Sequence, residues 1–220
     1  MTLRALSLLE TRVLGVLVEK QHTVPDTYPL SLNALVAGCN QKTAREPVIA
    51  ASDSDVLGAV DELKALSLVV EVSGSRVARY EHNAQRVLGV PSQSVAILAL
   101  LMLRGPQTAA ELRANTERLH RFADISSVEA FLDELAAREP ALVVRLPRAP
   151  GSRESRWMHL LGGPVAAADA ATTDAPLGSD AVAAGEWAAL KANQARLEAE
   201  VATLRRQMAR LAAELGVELD

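Results

Sequence analysis

The chain has 220 residues, 49% hydrophobic but only 3% aromatic, with one cysteine and a formal net charge of −4. That length admits one or two small domains with aliphatic cores, and a lone cysteine excludes an intramolecular disulfide and suits a reducing compartment. No apolar run approaches the ~20 residues that span a bilayer, and no basic-then-apolar leader opens the chain, so a cytoplasmic protein without a membrane partner is expected.

The first predicted helix starts at Ser7, where Ser7-Leu8-Leu9-Glu10 has capping-box spacing. Leu9, Val13, Val16 and Leu17 then follow a 3.6-residue period. Pro25 and Pro29 break the chain into an extended link, because proline disfavours helix in the residue before it. Ser31 is placed to cap a second helix with Leu32, Leu35, Val36 and Cys39 on one stripe, which makes Cys39 a core thiol. Asn40 or Gly38 ends it, and Pro47 blocks helix at Glu46. A third helix is expected from about Asp53 to Ser67, burying Val56, Ala59, Val60 and Leu63. A strand pair follows, from Leu68 to Val72 and back through Val77 and Tyr80, with its turn at Ser73-Gly74-Ser75.

Several of these stretches resemble the YceH family of bacterial proteins. They are Tyr28-Pro29-Leu30-Ser31-Leu32-Asn33-Ala34-Leu35, Cys39-Asn40-Gln41-Lys42 with Arg45-Glu46-Pro47-Val48, and Arg79-Tyr80-Glu81-His82. The likeness covers about residues 3–161. It implies a pair of winged-helix domains and supplies no catalytic residue to carry over.

Beyond residue 90 the pattern recurs. Ser92 or Ser94 opens a helix so apolar all round that burial on several sides, between the two copies, is expected. Gly105-Pro106 ends it. Thr108-Ala109-Ala110-Glu111 and Ser126-Ser127-Val128-Glu129 read as two more capping boxes, the latter opening a helix that buries Val128, Phe131, Leu132 and Leu135. Residues 54–63 and 126–135 align without a gap at an offset of 72, each followed by an apolar run, Leu68-Val69-Val70 or Leu142-Val143-Val144. Three helices closed by a hairpin, twice, read as two tandem winged helices in an α+β, mainly helical chain: domain one over 1–84 and domain two over 85–161.

Charge separates the halves. Residues 1–82 carry 8 Lys+Arg against 10 Asp+Glu, residues 83–161 carry 10 against 8, and residues 162–220 carry 5 against 9. The second hairpin gathers Arg145, Arg148, Arg153 and Arg156. Guanidinium forks on a hairpin suit phosphate, so these four are predicted nucleic-acid contacts. Lys42, Arg45, Arg118 and Arg121, in the loops before each third helix, are predicted to join them, with His120 lying between the last two. Against base reading, the outward positions of the third helices hold Asp55, Asp61, Glu62 and Lys64 in one copy and Glu129, Asp133, Glu134 and Arg138 in the other. Carboxylates facing a phosphate channel are repelled. Two functions follow from this: a DNA-binding, regulator-like protein that grips phosphates by loops and wing, or a module that docks a protein partner and binds no DNA. The four histidines lack metal-ligand spacing, and no phosphate-cradling glycine loop or nucleophile elbow is present, so neither enzyme activity, a cofactor nor a small-molecule substrate is expected.

Residues 162–185 are Ala, Asp, Thr, Gly and Pro without periodicity and read as a disordered tether. Residues 186–217 read as a helix with leucine heptads: Leu190, Leu197, Leu204 and Leu211 fall at d, and Trp187, the polar Gln194, Val201, Met208 and Leu215 at a. A coiled-coil homodimer is the expectation, with packing on the chain's own domains as its rival.

Overall fold

The computed structural model describes residues 3–72, 77–148 and 154–164. The turn at Ser73–Ser75, the hairpin tip with Arg153, all but the first three residues of the tether, and the leucine-repeat helix lie outside them.

The chain is a mixture of helices and two small antiparallel sheets. In order it forms α1 (Leu8–Thr23), a 3-10 turn at Pro25–Thr27, β1 (Leu30–Ser31), α2 (Leu32–Cys39), α3 (Asp53–Ala65), β2 (Val69–Val72) and β3 (Arg79–His82). Then come α4 (Ala84–Leu88), α5 (Ser92–Arg104), α6 (Ala109–Asn115), α7 (Ile125–Ala136), β4 (Val143–Arg145) and β5 (Trp157–His159). The first sheet has the order β1-β3-β2, with Leu30 opposite Tyr80 and Val70 opposite Glu81. The second pairs β4 with β5, Val144 opposite Met158, and a single bridge from Gln107 to Trp157 takes the place that β1 holds in the first. The same order of three helices and a hairpin therefore occurs twice.

Local chemistry explains most helix starts. The Ser7 hydroxyl accepts the Glu10 amide while the Glu10 carboxylate accepts the Ser7 amide, so two otherwise orphaned donors are satisfied reciprocally. Thr108 and Glu111 repeat the device at α6, and Ser52 and Asp55 supply it at α3. At α7 the expected Ser126 cap is corrected: the helix begins two residues earlier than that cap would allow, because the Asp124 carboxylate accepts both the amide and the hydroxyl of Ser127 at 2.7 Å. A carboxylate also suits the positive end of the helix dipole. Gly105, at φ +72°, stops α5 as expected.

The two copies share one continuous apolar core. Residues Ser94 to Leu103 of α5 are all buried, and α5 packs chiefly on α1. Gly15 makes that approach close: a Cβ there would lie 2.9 Å from Leu103 Cγ and 3.3 Å from the Ala99 carbonyl oxygen. At the chain's start, the Leu6 amide bonds to the Leu161 carbonyl at 2.8 Å, tying the first copy's leading segment to the end of the second.

Polar groups order the long connection from α2 to α3. Arg12 of α1, fully buried, donates to the carbonyls of Cys39 (3.1 Å) and Pro47 (2.6 Å). Burial, and then the neighbouring Arg45 charge, hold its guanidinium below the ordinary value. The Asn40 side chain donates to the Ala51 carbonyl and accepts the Ala51 amide, both at 2.8 Å. The Glu46 amide reaches the Leu103 carbonyl of α5 at 2.7 Å.

Candidate macromolecule-binding surfaces

The eight cations expected to meet phosphate separate into distinct environments. Lys42, Arg118, Arg121, Arg145 and Arg148 are exposed. Arg145 sets its guanidinium over the Trp157 ring at 5.8 Å from the centroid, a cation–π contact made by a side chain that stays exposed. Arg153 lies outside the described residues.

One member of the set is corrected, Arg45, and a second, Arg156, is partly engaged within the fold. Arg45 is 5% exposed, and its guanidinium is consumed inside the fold: it grips both Glu19 carboxylate oxygens (3.1 and 2.6 Å), Gln41 Oε1 (2.6 Å) and the carbonyls of Gly38 and Ala44. A buried guanidinium needs this full set of acceptors, so no donor is left over for a ligand. Arg156 is half-buried, donating to the Pro106 carbonyl at 3.0 Å and pairing with Glu111 at 3.4 Å, which holds the second hairpin against the start of α6.

The outward faces of α3 and α7 are acidic in three dimensions as in sequence. Asp55, Asp61 and Glu62 are exposed on α3, and Glu129, Asp133 and Glu134 on α7. The cations expected beside them are engaged. Lys64 bonds to Glu71 at 2.6 Å, and Arg138, past the end of α7, donates to the carbonyls of Leu88 and Gly89. Arg4 holds Glu10 and Glu62 together, at 2.6 and 2.8 Å.

Three of the four histidines gather where the C-terminal end of α1 meets the end of β3 and the loop before α7. His82 bonds to Gln21 at 2.6 Å; burial first, and then His22, pull its imidazole down to about 4. His22 is lowered by burial and by the neighbouring His120. His82 thus stands at the end of β3 as a hydrogen-bonded residue. Among the described residues, no group of three His, Cys, Asp or Glu side chains is spaced to hold a metal ion. The fourth histidine, His159, is buried on β5 with Nδ1 unpartnered and is pulled to about 4 by burial. Cys39 is fully buried, and burial pushes its thiol to about 12, as a core thiol should behave. No helix among the described residues is long and apolar enough to cross a membrane.

A protein-family profile described as "Protein of unknown function, DUF480" matches residues 6–152. A UPF0502 protein of Methylibium petroleiphilum is 76% identical over 217 residues, covering 99% of this chain and 93% of that protein. UPF0502 proteins of Burkholderia orbicola and Burkholderia vietnamiensis are 67% and 66% identical over 218 residues, each covering 99% of this chain and 92% of the relative. With its match running from the start of the first helical unit into the second hairpin, the chain belongs to the DUF480 family.

Proposed function

We propose that this chain is a tandem winged-helix protein that works by docking a positively charged protein partner on the acidic outward faces of α3 and α7. The twice-repeated order of three helices and a hairpin supports the winged-helix reading, with β1 and the Gln107 bridge as the short third strands, and so does the resemblance to the YceH family. The observation that carries the docking role is the absence of a free Lys, Arg, Asn or Gln on either third helix's exposed face. Asp55, Asp61, Glu62, Glu129, Asp133 and Glu134 stand there instead. A helix that reads bases needs donors and neutralising charge at those positions. Within one Debye length of a phosphate, about 8–10 Å, carboxylates oppose approach.

A second reading, duplex DNA held by its backbone, is favoured by the five exposed cations Lys42, Arg118, Arg121, Arg145 and Arg148. Salt titration of duplex binding by fluorescence anisotropy separates the two. For the DNA reading, log K falls linearly with log salt, and each of Lys42→Ala, Arg118→Ala and Arg148→Ala lowers the slope by about 0.9. Absence of duplex binding at about 50 mM salt removes it. For the docking reading, a partner retained after nuclease treatment is released by reversing charges on α3 (Asp61→Lys with Glu62→Lys) or on α7 (Glu129→Lys with Asp133→Lys). Retention unchanged in both variants refutes it.

The reading assigns the chain a binding role and no chemistry, in the cytoplasm, which its single cysteine supports. The leucine heptads from Leu190 to Leu211 add a homodimer, which would raise effective concentration at paired sites. Deleting residues 186–220 should halve the mass seen by sedimentation equilibrium; an unchanged mass rejects the dimer.

A further inference from the structure

The first turn of α1, residues 49–51 of the α2–α3 connection and the outward face of α3 enclose an open groove of about 460 Å³. Its floor is apolar, from Leu8 and Leu9 across Ile49 and Ala51 to Gly58 and Ala59. Leu8 is 52% exposed on one bank, and Val48, 56% exposed, adjoins the other. Gly58 leaves the middle empty: a Cβ built on it meets no atom within 4 Å, whereas at Gly15 and Gly38 the added carbon would run into Leu103 or Val16. A neighbouring helix can therefore approach α3 closely at this point, as helix packing at 8–10 Å between axes requires.

The rim is acidic. Glu10, Asp55 and Glu62 line the groove. One guanidinium already lies on that rim: Arg4 gives two hydrogen bonds to Glu10, at 2.9 and 2.6 Å, and one to Glu62 at 2.8 Å. It neutralises one of the three carboxylates and leaves the rim negative. An apolar floor between carboxylates complements a helix with leucine-type residues along one stripe and lysine or arginine on its flanks.

We propose that this groove receives the apolar stripe of a short basic amphipathic helix from a partner protein, with flanking cations set against Asp55 and Glu62. The assignment rests on the docking reading and narrows it to one of the two acidic faces and to one class of partner.

The test uses the full chain and a fluorescein-labelled, amidated 15-residue peptide of leucine and lysine with leucines at helical i, i+3, i+4, i+7 spacing, followed by anisotropy at about 50 mM salt. Saturable binding is expected, with amide shifts in NMR spectra confined to the groove. Gly58→Arg, which fills the groove and adds a like charge from an exposed helix position, should weaken binding at least about 10-fold. Gly58→Ala should keep the binding, and circular dichroism of both variants checks that they are folded. Arg4→Ala, which releases both carboxylates, should tighten binding. The same peptide with glutamate for lysine should not bind, and equal binding overturns the charge argument. Unchanged affinity in Gly58→Arg, or loss confined to Glu129→Lys with Asp133→Lys, overturns the groove while the broader docking reading stands. Duplex DNA that by itself, without the peptide, shifts the same groove amides assigns the site to nucleic acid and overturns the proposal. A peptide bound by no form of the chain overturns the groove assignment, while the broader docking reading stands or falls with the charge reversals on α3 and α7.

Discussion

Replacing Gly15 with alanine tests whether the two halves of the molecule share a core. In an exposed helix interior, Gly→Ala is stabilising by about 1 kcal/mol, because glycine loses the most backbone freedom on folding. At position 15 the new methyl would lie 2.9 Å from Leu103 Cγ, 3.1 Å from Leu103 Cδ2 and 3.3 Å from the Ala99 carbonyl oxygen. The carbon contacts fall well inside the ~3.5–4.0 Å optimum. Leu103 is fully buried and the Ala99 oxygen is backbone, so neither has free space to retreat into. Overpacking of this kind costs about 1–3 kcal/mol. Set against the helix gain, Gly15→Ala should be net destabilising by up to about 2 kcal/mol, while Gly58→Ala, facing open space, should be stabilising by about 0.5–1 kcal/mol. Urea unfolding of the full chain, followed by far-UV circular dichroism, measures both. A Leu103→Ala background sharpens the comparison. That change alone should cost about 2–5 kcal/mol, and the cavity it leaves should admit the new methyl, so the pair should couple by about 1–3 kcal/mol. If Gly15→Ala stabilises as Gly58→Ala does, or if the double variant is additive, α1 and α5 do not meet as described and the shared core is refuted.

Three further outcomes follow from buried groups. Arg45→Met should destabilise by about 2–4 kcal/mol at neutral pH, since it leaves the largely buried Glu19 carboxylate with only the Lys20 ammonium, at 3.4 Å, as its ionic partner. Burial pushes the Glu19 carboxyl up, but the hydrogen bonds and charge of Arg45 outweigh it and bring the group below its ordinary 4.5. This contribution is therefore intact above about pH 4.5 and disappears as pH falls through the lowered native value, so the deficit of the variant should shrink in acid; a deficit independent of pH contradicts the pairing. His159, held near 4 in the fold against 6.5 when free, refuses a proton that the unfolded chain accepts. Stability should fall as pH drops from 6.5 towards 4, by about 2 kcal/mol at pH 5 from this site, and His159→Leu should remove that part of the slope; an identical pH profile in the variant rejects the assignment. Cys39, with its thiol pushed to about 12, should resist a disulfide reagent at pH 8 in the native chain and react at once in urea. Fast native labelling would show the site open.

Most features fixed by neighbouring residues stand, the Ser126 cap being the exception because Asp124 caps α7 instead. The Ser7–Glu10 and Thr108–Glu111 boxes, the Ser31 cap and the stop at Gly105 depend on residues three or four apart, and each stands where spacing puts it. The buried stripe Val56, Ala59, Val60 and Leu63 follows from helical period alone. The unbroken apolarity of α5 pointed to burial between the copies, and α1 covers it. Other features depend on distance. Arg45 looks like a loop cation until α1 brings Glu19, 26 residues earlier, against it. The strand at Leu30–Ser31 is only two residues long and exists because β3 offers it an edge. The short helix α4 was not anticipated, being one turn that Gly89, at φ +61°, ends.

The amino-acid order by itself determined the repeated helices, the caps of α1, α2 and α6 and the acidic character of both third helices, because these properties reside in neighbouring residues and in charge. Only the tertiary structure decided which cations remain exposed, where the apolar groove runs, and that two copies join through α1 and α5. Those outcomes turn on which distant groups meet: an arginine enclosed by five acceptors is part of the framework, and the same side chain in water is a contact waiting for a partner.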